Sequence, residues 1–171
     1  MADIKSAYTA SADLTVTNLA SIATSATLVA GWLSGVIDNT TDLDLNKIVS
    51  GKIALGNSAT AGQIAVYAVG MLDDTNWPTT ALTSGTFGSE GTAAFKDATN
   101  RDAVAVLLWA AGTRADPGTD DVYQIAQSSL AGAFGGFLPK KVVLFVTHST
   151  GVNLAASGHQ ITVYGRKETV I

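Results

Sequence analysis

Short stretches in which apolar and polar residues alternate recur along this chain, and their period of two matches an extended strand and not the 3.6-residue turn of a helix. Residues 14–17 (LTVT) alternate in this way and are rich in β-formers. An apolar stretch at 26–33 carries Gly31 inside it, which predicts a strand with a bend before the turn-like Asp38-Asn39-Thr40. Residues 43–55 begin with Leu43-Asp44-Leu45 and end in an apolar run; few strong helix formers occur there, so the segment reads as a strand with a kink at Gly51. The clearest strand is 63–71, in which Ile64, Val66 and Ala68 face one way and Ala65, Tyr67 and Val69 the other.

Residues 73–100 are rich in Asp, Thr, Ser, Gly and Pro, with Trp77-Pro78 and Phe87 among them. Connections longer than about 15 residues are usually functional or mobile, so this segment is a candidate contact surface. A strand follows at 103–110, a turn at 116–120, a strand at 122–126, and a Gly-rich bend at 130–139. Residues 140–148 read as a central strand and 161–164 as the closing one, with these last two expected to pair as a hairpin. About eight short strands divided by turn residues predict an all-β fold, a jelly-roll-like β-sandwich with long loops. Residues 1–13 read as an N-terminal arm ahead of a single domain at 14–171.

Composition changes the picture in one respect. Of the 171 residues 47% are hydrophobic and only 14% charged, against roughly 25% charged in ordinary soluble chains. A surface so poor in charge predicts that something covers part of it. Cysteine is absent, which removes disulfides and thiolate chemistry together. The net charge of −4, with no extended basic run, argues against direct nucleic-acid binding. The opening residues lack the basic start and apolar core of a secretory signal. The longest apolar run, 103–111, is about half of the roughly 20 residues a membrane helix needs, so no membrane partner is expected.

Candidate chemistry is sparse. No Gly-x-Ser-x-Gly elbow occurs. Two histidines, His148 and His159, fall short of the three or four protein ligands zinc usually takes. The carboxylates at Asp73-Asp74 and at Asp116, Asp120 and Asp121 lack EF-hand spacing and suit turns. The glycines at 132–136 lack the Lys-Ser/Thr of a phosphate loop. The expectation is therefore no metal, no cofactor and no enzyme. Trp32 and Trp109 lie in apolar strands and read as core, whereas Ile4 and Tyr8 in the arm and Trp77, Pro78 and Phe87 in the long loop are the candidate protein-interface residues.

Three stretches, SAYTASADLTVTNLASIATSATLVAGWLSGVIDNT, SGKIALG and FGGFLPKKVVLFVTHSTGVNLAASGHQITVYG, resemble small virion structural proteins of tailed bacteriophages, from Ser6 to about Tyr164. The resemblance implies a protein made in the host bacterial cytoplasm that joins the capsid exterior as a decoration or cement protein. Its implied partners are the major capsid protein and itself, as a dimer or trimer. The alternative is a tail or head-fibre module that binds a host receptor or glycan, for which loop-borne aromatics would serve as platforms.

Overall fold

A computed structural model of the chain describes residues 4–73, 75–115 and 121–170. Its strands are β1 (Ile4–Tyr8), β2 (Ala12–Asp13), β3 (Ala30–Leu33), β4 (Ile37–Asp38), β5 (Asn46–Ala54), β6 (Gly62–Gly70), β7 (Leu82–Ser84), β8 (Gly91–Phe95), β9 (Val106–Thr113), β10 (Val122–Ser129), β11 (Lys141–His148) and β12 (Gln160–Val170). Two short helices, α1 (Ala98–Val104) and α2 (Leu130–Ala133), accompany them.

The strands form two antiparallel sheets. One has the order β1-β12-β5-β10, with β2 beside β1 on the same edge of β12; the other runs β7-β8-β3-β11-β6-β9, with β4 continuing β3 along β11. Counting β1 and β2 as one interrupted strand and β3 and β4 as another leaves four strand positions in the first sheet and six in the second, and with β7 and β8 set aside the second also has four. Consecutive strands β5 and β6, β9 and β10, and β11 and β12 each cross from one sheet to the other. This is the jelly-roll arrangement, with the β7–β8 hairpin added beyond β3.

The core follows from the two faces of the central strands. Ile64, Val66 and Ala68 of β6 and Val142, Leu144 and Val146 of β11 meet Val49, Ile53, Ile161 and Val163 of the facing sheet. The opposite faces of the same strands are buried as well. Tyr67, Val69, Val143 and Phe145 lie beneath Ala81, Phe87, Phe95 and Ala105. The segment between β6 and β9 therefore lids the outer side of its own sheet. Phe95 and Phe145 meet edge to face at 4.9 Å, and the Arg101 guanidinium sits 4.7 Å from the centre of the Tyr67 ring.

Several expectations from the sequence are corrected. The last two strands do not pair, because both edges of β11 are already filled, one by β6 and the other by β3 and β4. The alternating residues 14–17 are not a strand: β2 ends just before them, and Leu14 and Val16 pack on the core from a loop. Ala103 and Val104, read as the start of a strand, instead close the helix α1, whose first turn is capped by the Asp97 carboxylate accepting from Asn100 N at 2.7 Å. Gly51 does not break the strand: β5 runs through it in continuous register with β12, and glycine is required because a Cβ there would stand 2.2 Å from the Gln160 carbonyl oxygen. The turn expected at 116–120 lies outside the described residues.

Trp32, fully buried in β3, donates its indole N–H to Glu90 Oε1 at 2.7 Å, and the same carboxylate accepts from the Asn18 backbone and side-chain amides. One acid thus ties β3 to the turn ahead of β8 and to the loop at residue 18. Glu90→Ala leaves a buried donor unpaired and is expected to cost about 1–3 kcal/mol in urea unfolding. A loss within error would show that the indole does not depend on this acceptor.

Candidate interaction surface

Most of the polar chemistry visible in the sequence is spent inside the chain. His148 is fully buried; its Nε2–H donates to Ile22 O at 3.1 Å, and Nδ1 lies 2.9 Å from Thr150 Oγ1. His159 accepts Ala54 N–H at Nδ1 and donates from Nε2 to Ala155 O at 2.8 Å. The Asp73 carboxylate accepts from the Asn76 side chain and from the Thr75 and Asn76 amides, and these bonds hold it below the usual carboxylate range. Asp121 is paired with Arg114, while Asp74, Asp116 and Asp120 lie outside the described residues. Among the described residues no cluster of His, Cys, Asp and Glu has the makings of a metal site, and no helix is long and apolar enough to cross a membrane.

A cavity of about 410 Å³ opens between the β2 edge of one sheet and β4 of the other, where Asp38, Asp42 and Lys47 line it. Lys47 Nζ is held 2.9 Å from Asp44 Oδ2 and 3.1 Å from Asp42 Oδ2. Burial works against its charge, yet the hydrogen bonds and charges of the two acids outweigh burial and raise its pKa above the ordinary lysine value. A lysine that acts as a nucleophile needs the opposite shift. This ammonium is a structural cation.

The same cluster reverses the pattern of the chain around it. In Leu43-Asp44-Leu45 the alternation predicts buried leucines and an exposed acid; the structure buries the Asp44 side chain completely and leaves Leu43 72% and Leu45 53% exposed. Three devices impose this. Lys47 neutralises the acid, and the Asn39 side chain both accepts from Asp44 N at 2.9 Å and donates to Asp44 O at 3.0 Å. Gly165 of β12 provides the space, because a Cβ there would overlap the Asp44 carboxylate. Leu43 itself sits at φ +52°, in the left-handed region, at a cost of roughly 1–2 kcal/mol for a non-glycine residue.

Leu43 and Leu45 do not stand alone. Asn39 N donates to Lys140 O and Met71 N to Lys141 O, so the loops before β5, after β6 and before β11 are laced together at one end of the sandwich. From these loops Leu72 is 69% and Phe137 83% exposed. At the opposite end, among the described residues, Val122 is the one large apolar side chain left exposed. Four of the large apolar side chains left exposed among the described residues are thus gathered at one pole, the others being Tyr8, Val36, Leu107 and Val122.

Of the residues picked from the sequence, Trp77, Pro78 and Phe87 lie elsewhere, whereas Ile4 and Tyr8 are on β1, beside the end of β12 that flanks these loops. Trp77 stacks on Phe87 with ring centres 5.8 Å apart, and Pro78 and Phe87 are buried, all three in the lid over the outer core. Tyr8 is 68% exposed and meets Tyr164 edge-on at 6.1 Å; Ile4 opens β1 opposite Val170. The stretch read as an arm is therefore strand from Ile4 to Tyr8, laid along β12. Leu43, Leu45, Leu72 and Phe137 were not singled out by the sequence. Phe137 beside two glycines in a bend was the available signal, since an aromatic there has little of its own segment to pack on.

Comparison with protein-family models, with curated proteins and with solved structures finds no match to this chain.

Two predictions follow from these contacts. Lys47→Met strands the buried Asp44 carboxylate and is expected to destabilise by about 3 kcal/mol in urea; Lys47→Met with Asp44→Leu recovers part of that loss. Full stability of the single variant would remove the buried pair from the account. For His148, burial pushes the pKa below the usual value, against the smaller opposing pull of the backbone at Ile22 and Ala23. Below about pH 6.5 the unfolded chain takes up a proton that the folded chain refuses, so stability declines as pH falls from 7 toward 5. His148→Gln is expected to flatten that part of the stability curve, and an unchanged slope would locate the pH dependence in other groups.

Proposed function

We propose that this chain is a virion structural protein that decorates and stabilises a tailed-phage capsid, and that it works by binding and not by catalysis. The observation that carries the reading is the apolar pole. An isolated chain gains nothing by holding Leu43, Leu45, Leu72 and Phe137 in water, and large exposed apolar patches mark surfaces that a protein partner covers. The jelly-roll sandwich, the low charge and the resemblance to small phage virion proteins support the same reading.

In this role the protein sits on the outside of the head, bridges neighbouring copies of the major capsid protein, and acts as an oligomer. Burial of apolar area at roughly 25 cal/mol per Å² at each contact adds over the many copies in a lattice. No nucleic acid, membrane or cofactor takes part. The alternative role, glycan or receptor recognition from a tail or fibre, has less support, because Trp77 is stacked on Phe87 instead of offering a free aromatic face.

Particles assembled without this protein are expected to release their DNA at lower temperature than complete particles, and gold-labelled antibody against it is expected to mark heads. Label confined to tails, or identical heat resistance with and without the protein, would refute the assignment.

A further inference from the structure

The pole has a shape that says more than that it is apolar. The fold maintains it against local preference: a buried ion cluster, an asparagine clamp and a left-handed Leu43 all hold the leucines outward. Beside it, β12 runs past the start of β5. Its pairing with β5 ends at Arg166 opposite Asn46, and Leu45 N donates to Arg166 O; beyond that point β12 pairs with β1 alone. A two-stranded ribbon is marginal in water without something packed on it. An uncovered ribbon and an apolar pole at one end are two independent signs that the same end is covered.

We infer that the pole and the flanking β1–β12 ribbon form the surface through which two copies of this chain associate. This deepens, and rests on, the capsid reading, since it names what covers the pole. Two observations favour a second copy as the occupant. Taking about 150–200 Å² for a fully exposed Leu or Phe, the four side chains offer on the order of 500 Å² of apolar area. That is a fitting centre for an interface of about 800 Å² per partner, the size of a stable association, with a polar rim around it. The rim carries both signs, with Lys140, Lys141 and Arg166 among Asp38, Asp42 and Asp73. A patch that must match itself across a two-fold axis needs both signs, whereas a strongly one-signed partner needs only one.

The test is sedimentation velocity on the purified full chain, with the capsid absent. The wild type is expected to form a dimer that dissociates on dilution toward the 17.5 kDa monomer. Phe137→Asp with Leu72→Asp is expected to weaken dimerisation by about thirty-fold or more. Leu43→Asn is the sharper variant, because asparagine accepts the left-handed backbone more readily than leucine. It is expected to keep or raise the melting temperature of the monomer while weakening association. Val122→Asp at the opposite end is expected to leave the dimer intact. A wild type that stays monomeric at every concentration, variants that still dimerise, or a dimer broken by Val122→Asp would each overturn the inference. A monomer that still coats phage heads would overturn it and leave the capsid reading standing; a pole-mediated dimer missing from purified particles would do the reverse.

Discussion

The structure depends on a sheet that is dry on both faces. In β6 the residues from Ile64 to Val69, and in β11 those from Val142 to His148, are buried without interruption. A strand with apolar side chains on both faces has no side to offer to water, so two covers are obligatory. The second sheet supplies one. The other must come from the long connection between β6 and β9, which contributes Ala81, Phe87, Phe95 and Ala105. The length of that connection is thus set by an area to be covered.

This lid also explains part of the low charge. A chain with one sheet buried on both sides needs an unusually large share of apolar residues, and much of the deficit in charge is satisfied within the molecule. The apolar area left in water is smaller and more local than composition suggests, and four of its large side chains lie at one end of the sandwich.

Much of the fold could be read from the residues, and the exceptions have physical causes. The strands at 63–71 and 140–148 were clear because their apolar runs are long and rich in β-branched residues. The two faces of β6 were assigned correctly from period two alone. Pairing was harder: adjacency in sequence favours a hairpin between β11 and β12, but edges already occupied forbid it, and occupancy is a property of the whole sheet. The surface was hardest. Leu43-Asp44-Leu45 has the pattern of a half-buried strand, and the contacts that turn the acid inward, with Lys47, Asn39 and the distant Gly165, are set by the folded geometry and not by the alternation. Trp77 and Phe87 read as interface candidates because their neighbours in sequence are polar, while their neighbours in space are aromatic.

The place of β12 bears on how the molecule comes into being. It is the shared partner of β1, β2 and β5, and it joins residue 4 to residue 170. During synthesis this strand emerges after all the others described, so β1 and β2 have no edge to join, and β5 lacks one neighbour, until β12 itself has been made. Pairings this distant in sequence also close slowly. A nascent chain therefore waits with unpaired edges, a state open to aggregation, and folding helpers would act most usefully in that interval.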